Sequence, residues 1–174
     1  MLHANADRDQ ILTTLAPLCQ GIDRDILQDF VTRMDSDYFS AFPPKTLAAH
    51  VKQAATLTPD HPCDVSIAET AGGHFVITIV AYDYFSEFAT ICGLLSAFGL
   101  NIEEGRIFTS AESEQPSGSR SADPYPIRTR PQGRPGLTRK KIVDVFTVSP
   151  IEGQTFAAAD RKRLTDQLAR MIML

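Results

Sequence analysis

The segment HFVITIVAYDYFSEFATICGLLSAFGLNIEEGRIFT, residues 74–109, passes from strand to helix and back to strand. Phe75 to Tyr82 (FVITIVAY) is apolar on both faces, as a central strand covered on either side requires. Asp83 to Ser86 make a turn. From Ser86 to Phe98 the apolar residues Phe88, Ile91, Cys92, Leu95 and Phe98 recur on one helical face. Gly99 is placed to stop that helix, and Ile102 to Thr109 form the next strand.

Downstream, residues 113–139 change character. Serine, proline, glycine and arginine dominate, apolar residues are scarce, and the segment reads as a flexible insertion. It carries Arg120, Arg128, Arg130, Arg134 and Arg139 against only Glu114 and Asp123. A solvated loop explains that excess more simply than contact with phosphate or an acidic partner. Regular structure resumes with a strand over Ile142–Val148 and a helix over Phe156–Leu174. The apolar end, Met171 to Leu174, has no polar tail and suggests a piece of a longer polypeptide.

Upstream, residues 5–57 read as helical. Ile11, Leu12, Leu15 and Leu18 share one spacing, and Gly21 is a stop. A second helix from Asp23 carries Ile26, Leu27, Phe30 and Val31. Asp35 to Phe42 reads as an aromatic-rich turn. Pro43-Pro44 open a third helix with Leu47, His50, Val51 and Ala54. A short strand is expected at Val65 and Ile67. This divides the chain into a helical extension, 1–60, and an α+β domain, 61–174.

The bulk numbers fit such a domain. With 174 residues, 43% hydrophobic and 22% charged, the chain is long and apolar enough to bury a core. A formal net charge of -4 gives no broad attraction to nucleic acid or an anionic membrane. No apolar run approaches the ~20 residues of a membrane helix. The N-terminus lacks the basic start and apolar block of a signal peptide, so the expected compartment is the cytoplasm. Three cysteines, Cys19, Cys63 and Cys92, have no metal-type spacing and read as reduced thiols.

Residues 74–109 resemble the first half of an ACT domain. Members often read strand, Asp-x-Pro-Gly-Leu-Phe, helix, Gly-Leu-Asn-Ile, strand. The corresponding positions are Asp83, Phe85, Ser86, Glu87 and Phe88, then Gly99, Leu100, Asn101 and Ile102. Val143 to Val148 looks like the third strand. Asp37-Tyr38-Phe39-x-x-Phe42 with Leu47-x-x-His50 is similar to the helical segment before the ACT domains of nitrogen-regulatory nucleotidyltransferases. These are the protein-PII uridylyltransferases and glutamine synthetase adenylyltransferases. The resemblance spans roughly residues 30–172 and implies a ferredoxin-like sandwich, βαββα here, with its last strand missing. The open sheet edge would be covered by the Val65–Ile67 strand, a second copy or further sequence. The family's Pro-Gly is Phe85-Ser86 in this chain.

The resemblance also implies a binding site. Helix N-terminal amides of Ser86, Glu87 and Phe88 would receive a carboxylate. Asn101, beside Ile102, would offer its amide, and Asp83 would meet an ammonium group. The ligand class is a small amino acid such as glutamine, held by a homodimer and signalling to an attached nucleotidyltransferase. Against this, Ser86 adds a side chain where the family has glycine and is also suited to cap the helix. Glu87 is itself stabilised in a first helical turn by about 0.3–1 kcal/mol and would compete with a ligand carboxylate. The alternative is therefore a ligand-free dimerisation or docking module.

No catalytic constellation emerges. Asp35-x-Asp37 lacks the strand and Gly-Ser turn of a nucleotidyltransferase metal site. His3, His50, His61 and His74 form no zinc-type spacing with cysteine. Gly118-Ser119 lies in the loose insertion, outside any strand–turn–helix. Glu103 and Glu104 alternate faces on a strand, so they cannot act as a pair, while Gly105 marks a bulge or close packing. No cofactor or metal is implied, and a membrane or nucleic-acid partner is not expected.

Overall fold

The computed structural model describes residues 2–83, 87–111 and 139–171. Most of the arginine-rich stretch, the turn residues 84–86 including Ser86, and residues 172–174 lie outside that set. The chain opens with α1 (Leu2–Leu15), a short 3-10 turn (Ala16–Leu18), α2 (Arg24–Arg33), α3 (Ser36–Ala41) and α4 (Pro44–Thr56). There follow β1 (Cys63–Glu69), β2 (Phe75–Tyr82), α5 (Glu87–Ala97), β3 (Leu100–Thr109), β4 (Lys141–Pro150) and α6 (Ala158–Met171).

The four strands form one antiparallel sheet in the order β1-β2-β4-β3. β2 lies in the interior of the sheet, and helices cover both of its faces. Ile77, Ile79 and Ala81 pack toward α5 and α6, with Ile91, Leu95, Leu164 and Leu168. Val80 and Tyr82 pack toward the N-terminal helices, with Leu27, Phe30, Val31, Leu47 and Val51. That double burial is the physical reason for the apolar run FVITIVAY, broken only by the buried Thr78. Each fully buried aliphatic side chain contributes about 1.5–3 kcal/mol relative to an exposed one.

β1 covers the edge that the βαββα reading left open. It is longer than the Val65–Ile67 strand expected from sequence, pairing with β2 from Cys63↔Ala81 to Glu69↔Phe75. α6 is tied to this edge by Arg161, whose Nη1 lies 3.1 Å from Glu69 Oε2 and whose guanidinium sits 5.4 Å over the Phe75 ring.

Asp35 to Phe42, expected as a turn, is a correction: its centre is the helix α3. One helical turn brings Tyr38 edge-on to Phe30, Phe39, Phe42 and Phe108. Tyr38 Oη also lies 2.8 Å from His50 Nδ1 on α4, and both side chains are fully buried. The preference for burying aromatic surface thus overrides the turn-like composition. α2 starts at the N-cap Asp23, whose carboxylate accepts from the Asp25 amide at 3.0 Å. α5 is followed by Gly99 at φ 69°, and Ile151 N donates to Gly99 O at 2.8 Å.

A buried charge cluster fastens the sheet to α2. Asp29 accepts from Lys141 Nζ at 3.2 Å and lies 3.4 Å from Arg33 Nη1. Arg33 Nε donates to Ala111 O at 2.8 Å, and Ser110 and Lys141 exchange two hydrogen bonds of 2.8 Å. The ends of β3 and β4 that flank residues 112–138 are therefore held to one helix.

Candidate functional site

The sequence directs attention to the junction of β2 and α5. Asp83 directly follows β2, exposed and with its amide donating to Lys140 O at 3.0 Å. Glu87 is the first residue of α5. Phe88 follows, 51% exposed, with its ring stacked on Phe146 at 6.2 Å between centroids. Gly105 on β3 makes room for that stack, since a Cβ there would meet the Phe146 ring at 3.3 Å. Asp83 stands at the Lys140 end of the sheet, whereas Phe88, in the first turn of α5, lies over Phe146 nearer the middle of β4.

Asn101 and Ile102 are not brought there. In the register Asn101 pairs with Ser149 and Ile102 with Val148, at the far end of β4 from Lys140. At about 3.3 Å per residue the two ends are separated by roughly 30 Å. One small molecule cannot touch Asp83 and Asn101 of the same chain.

A residue that the sequence reading passed over stands near the junction. Asp144 occupies the middle of β4, paired with Ile79 on one side and Ile107 on the other. It is 2% exposed, and its Oδ1 has no hydrogen-bond partner among the described residues. Burial, reinforced by the Asp83 carboxylate, pushes its pKa up to about 7. On α5, the half-buried Cys92 thiol is pushed up by burial and then by Asp144. A carboxyl group buried in an apolar interior with its pKa raised toward neutrality is a marked departure from ordinary core chemistry. The signal was present in sequence as a lone charge inside Val143-Asp144-Val145-Phe146.

The other polar groups singled out from sequence have structural settings. His50 is packed against Tyr38 and Phe42, and burial lowers its pKa to about 4. Asp35 and Asp37 lie at the start of α3. Cys19, Cys63 and Cys92 are free thiols. No group of three or more metal-ligating side chains occurs among the described residues, and no described helix is long and apolar enough to cross a membrane. A cavity of about 380 Å³ lies between α1, α3 and α4, lined largely by Ile11, Leu15, Phe39, Phe42 and Leu47. Among its described lining residues Asp7 is the only charged side chain, so no cation there faces a carboxylate, and Gln10, Thr14, Ser36 and Ser40 supply its other polar groups.

Among the described residues no strand pairs with the outer edge of β3. A bulge between Ile102 and Glu104 shifts its register, and Ile102, Gly105 and Ile107 then lie across from Val148, Phe146 and Asp144. They share the α5 side of the sheet. Ile102 and Ile107 are 38% and 46% exposed and lie on the same side as the exposed Phe88.

No protein-family model matches the chain, and no curated protein matches it.

Proposed function

We propose that the chain is a regulatory module of ACT type. It senses a small amino acid, with glutamine the first candidate, and controls an attached nucleotidyltransferase of nitrogen metabolism in the cytoplasm. The observation that carries the reading is the sheet order. β2-α5-β3 is a crossover that leaves room for β4 between its strands, and α5 and α6 lie on one face. This agrees with a ferredoxin-like sandwich in which β1 stands where the fold's last strand would be.

The separation of Asp83 from Asn101 supports a site shared by two copies. A two-fold axis that pairs β3 with β3 of a second copy aligns the strands antiparallel. The start of one β3 then meets the end of the other, which places Asn101 of one copy at the Asp83 end of its mate. The exposed stripe Ile102, Ile107 and Phe88 supplies apolar area for that pairing. Ligand carboxylate would lie on the first-turn amides of α5, near Ser86, Glu87 and Phe88. Regulation then requires unequal ligand affinity in two arrangements of the pair.

The same stripe favours a second reading, a dimerisation or docking module without ligand. Isothermal titration of the chain with a panel of amino acids, glutamine first, separates the two. Saturable heat that Asn101→Ala removes supports the sensor. A folded dimer that binds none of them supports the module.

A further inference from the structure

Beside the N-terminal helices, on the sheet face that they pack against, lies a cleft of about 270 Å³. The register lays its floor as two rows across three strands. One row is Val76, Thr147 and Glu104, and the other is Thr78, Val145 and Arg106. The next row, Val80, Val143 and Phe108, packs under the helices. Phe42 and Thr46, on either side of the start of α4, make the wall. The cleft therefore joins the helical extension to the sheet, and such junctions are favoured positions for ligand sites.

The polar groups of the cleft suit a ligand that both donates and accepts. Among the described residues the hydroxyls of Thr46, Thr78 and Thr147 have no hydrogen-bond partner, and each can serve in either role. Thr78 is only 7% exposed, so its hydroxyl lies at the base of the cleft. The two charges are spent on each other. Arg106 Nε lies 2.7 Å from Glu104 Oε1, its Nη1 donates to Ala41 O at 2.8 Å, and its guanidinium sits 5.7 Å over the Phe42 ring. Three contacts thus hold Arg106 in place before any ligand arrives. The described lining carries no net charge, so a free ion gains little there. A wholly apolar molecule would cut the three hydroxyls off from water without pairing them. Val76 and Val145 supply an apolar floor. The volume falls just below the ~300–1,000 Å³ of sites for drug-sized ligands, which selects a smaller molecule. We propose that this cleft binds a free neutral monosaccharide. Its hydroxyls bond the three threonines and the Glu104–Arg106 pair, and its C–H face lies on the two valines. The inference does not rest on the amino-acid reading, since it concerns the opposite face of the sheet from α5.

The test uses the full chain with labelled valine and threonine methyl groups, observed by NMR. It is titrated with D-glucose, D-galactose, D-mannose, D-fructose and D-ribose. At least one sugar should move the Val76 and Val145 signals saturably while Thr13, on α1, stays fixed. The expected affinity is in the millimolar range, the order for a ligand of about twelve non-hydrogen atoms. The ionic counterparts D-glucuronate and D-glucosamine should bind no more tightly than the neutral sugars, a readout that needs no variant. Thr46→Val and Thr147→Val each remove one hydroxyl, from the wall and from the floor, and should weaken binding about two- to tenfold. Thr13→Val should leave it unchanged. Valine signals that stay fixed with every sugar overturn the proposal. So do threonine variants that bind as the parent does, or an ionic counterpart that binds about tenfold more tightly than the neutral sugars.

Discussion

Ile102 and Ile107 face the same side of β3 although an odd number of positions separates them, because the bulge inserts one residue between them. In a regular strand they would point to opposite faces. The bulge thus gathers two exposed isoleucines onto the face that also carries Phe88. Glu104 is left on the other face, where its carboxylate lies 2.7 Å from Arg106 Nε.

If that stripe joins two copies, Ile107→Asp weakens the pair without unfolding the chain. Ile107 is already about half buried, so pairing buries the remainder, about 0.7–1.5 kcal/mol per side chain and twice that per pair, which is about tenfold or more in dimer affinity. Sedimentation equilibrium reads the change directly. A variant that dimerises as the parent does removes the β3 edge from the account.

Two buried groups impose opposite pH dependences on stability. His50, lowered to about 4, is neutral in the fold and ordinary in the unfolded chain. Its contribution is full above about 6.5 and is lost as pH falls toward 4. Asp144, raised to about 7, acts the other way. Its contribution is full below about 3.8 and is lost as pH rises toward 7. Each amounts to roughly 3–4 kcal/mol over its window, so between about pH 4 and 6.5 the two nearly cancel. Urea unfolding of His50→Gln should show stability falling with rising pH in that range. Asp144→Asn should show the reverse. Parallel slopes in both variants would contradict these assignments.

Much of the architecture was legible because hydrophobic period reports burial directly. FVITIVAY read as a covered strand because both of its faces are covered. Ile91 and Leu95 read as a helix face because they pack on the sheet. β1 was visible as a short alternating strand, yet its place beside β2 depends on a pairing that local pattern does not encode. α3 was missed because its six residues are held by Tyr38 and its ring contacts rather than by propensity. Asp83 and Phe88 read as the two ends of a single turn, and the residues between them, 84–86, lie outside the described set. The distance from Asp83 to Asn101 required the register of β3 on β4, and Asp144 was hidden by reading its segment only as a strand.

The Asp29 carboxylate faces two cations, Arg33 and Lys141. Asp29→Ala would leave both in a largely buried setting, at a cost of about 3–5 kcal/mol. Arg33→Met with Lys141→Met in the same Asp29→Ala chain should restore much of it, since no buried charge is then left uncompensated. Chemical denaturation of the two chains checks the difference. Equal stability would mean that the cluster is solvated and contributes little.

The shared site is tested most directly by mixing. Asp83→Ala and Asn101→Ala chains are each titrated with the amino acid that the parent binds, and then an equal mixture is titrated after exchange of subunits. If every site takes Asp83 from one copy and Asn101 from the other, a mixed pair contains one doubly altered site and one intact site. The account predicts no binding by either variant alone and recovery of about a quarter of the sites, at parental affinity, in the mixture. Silence in the mixture, from chains shown to be folded and exchanging, would contradict it.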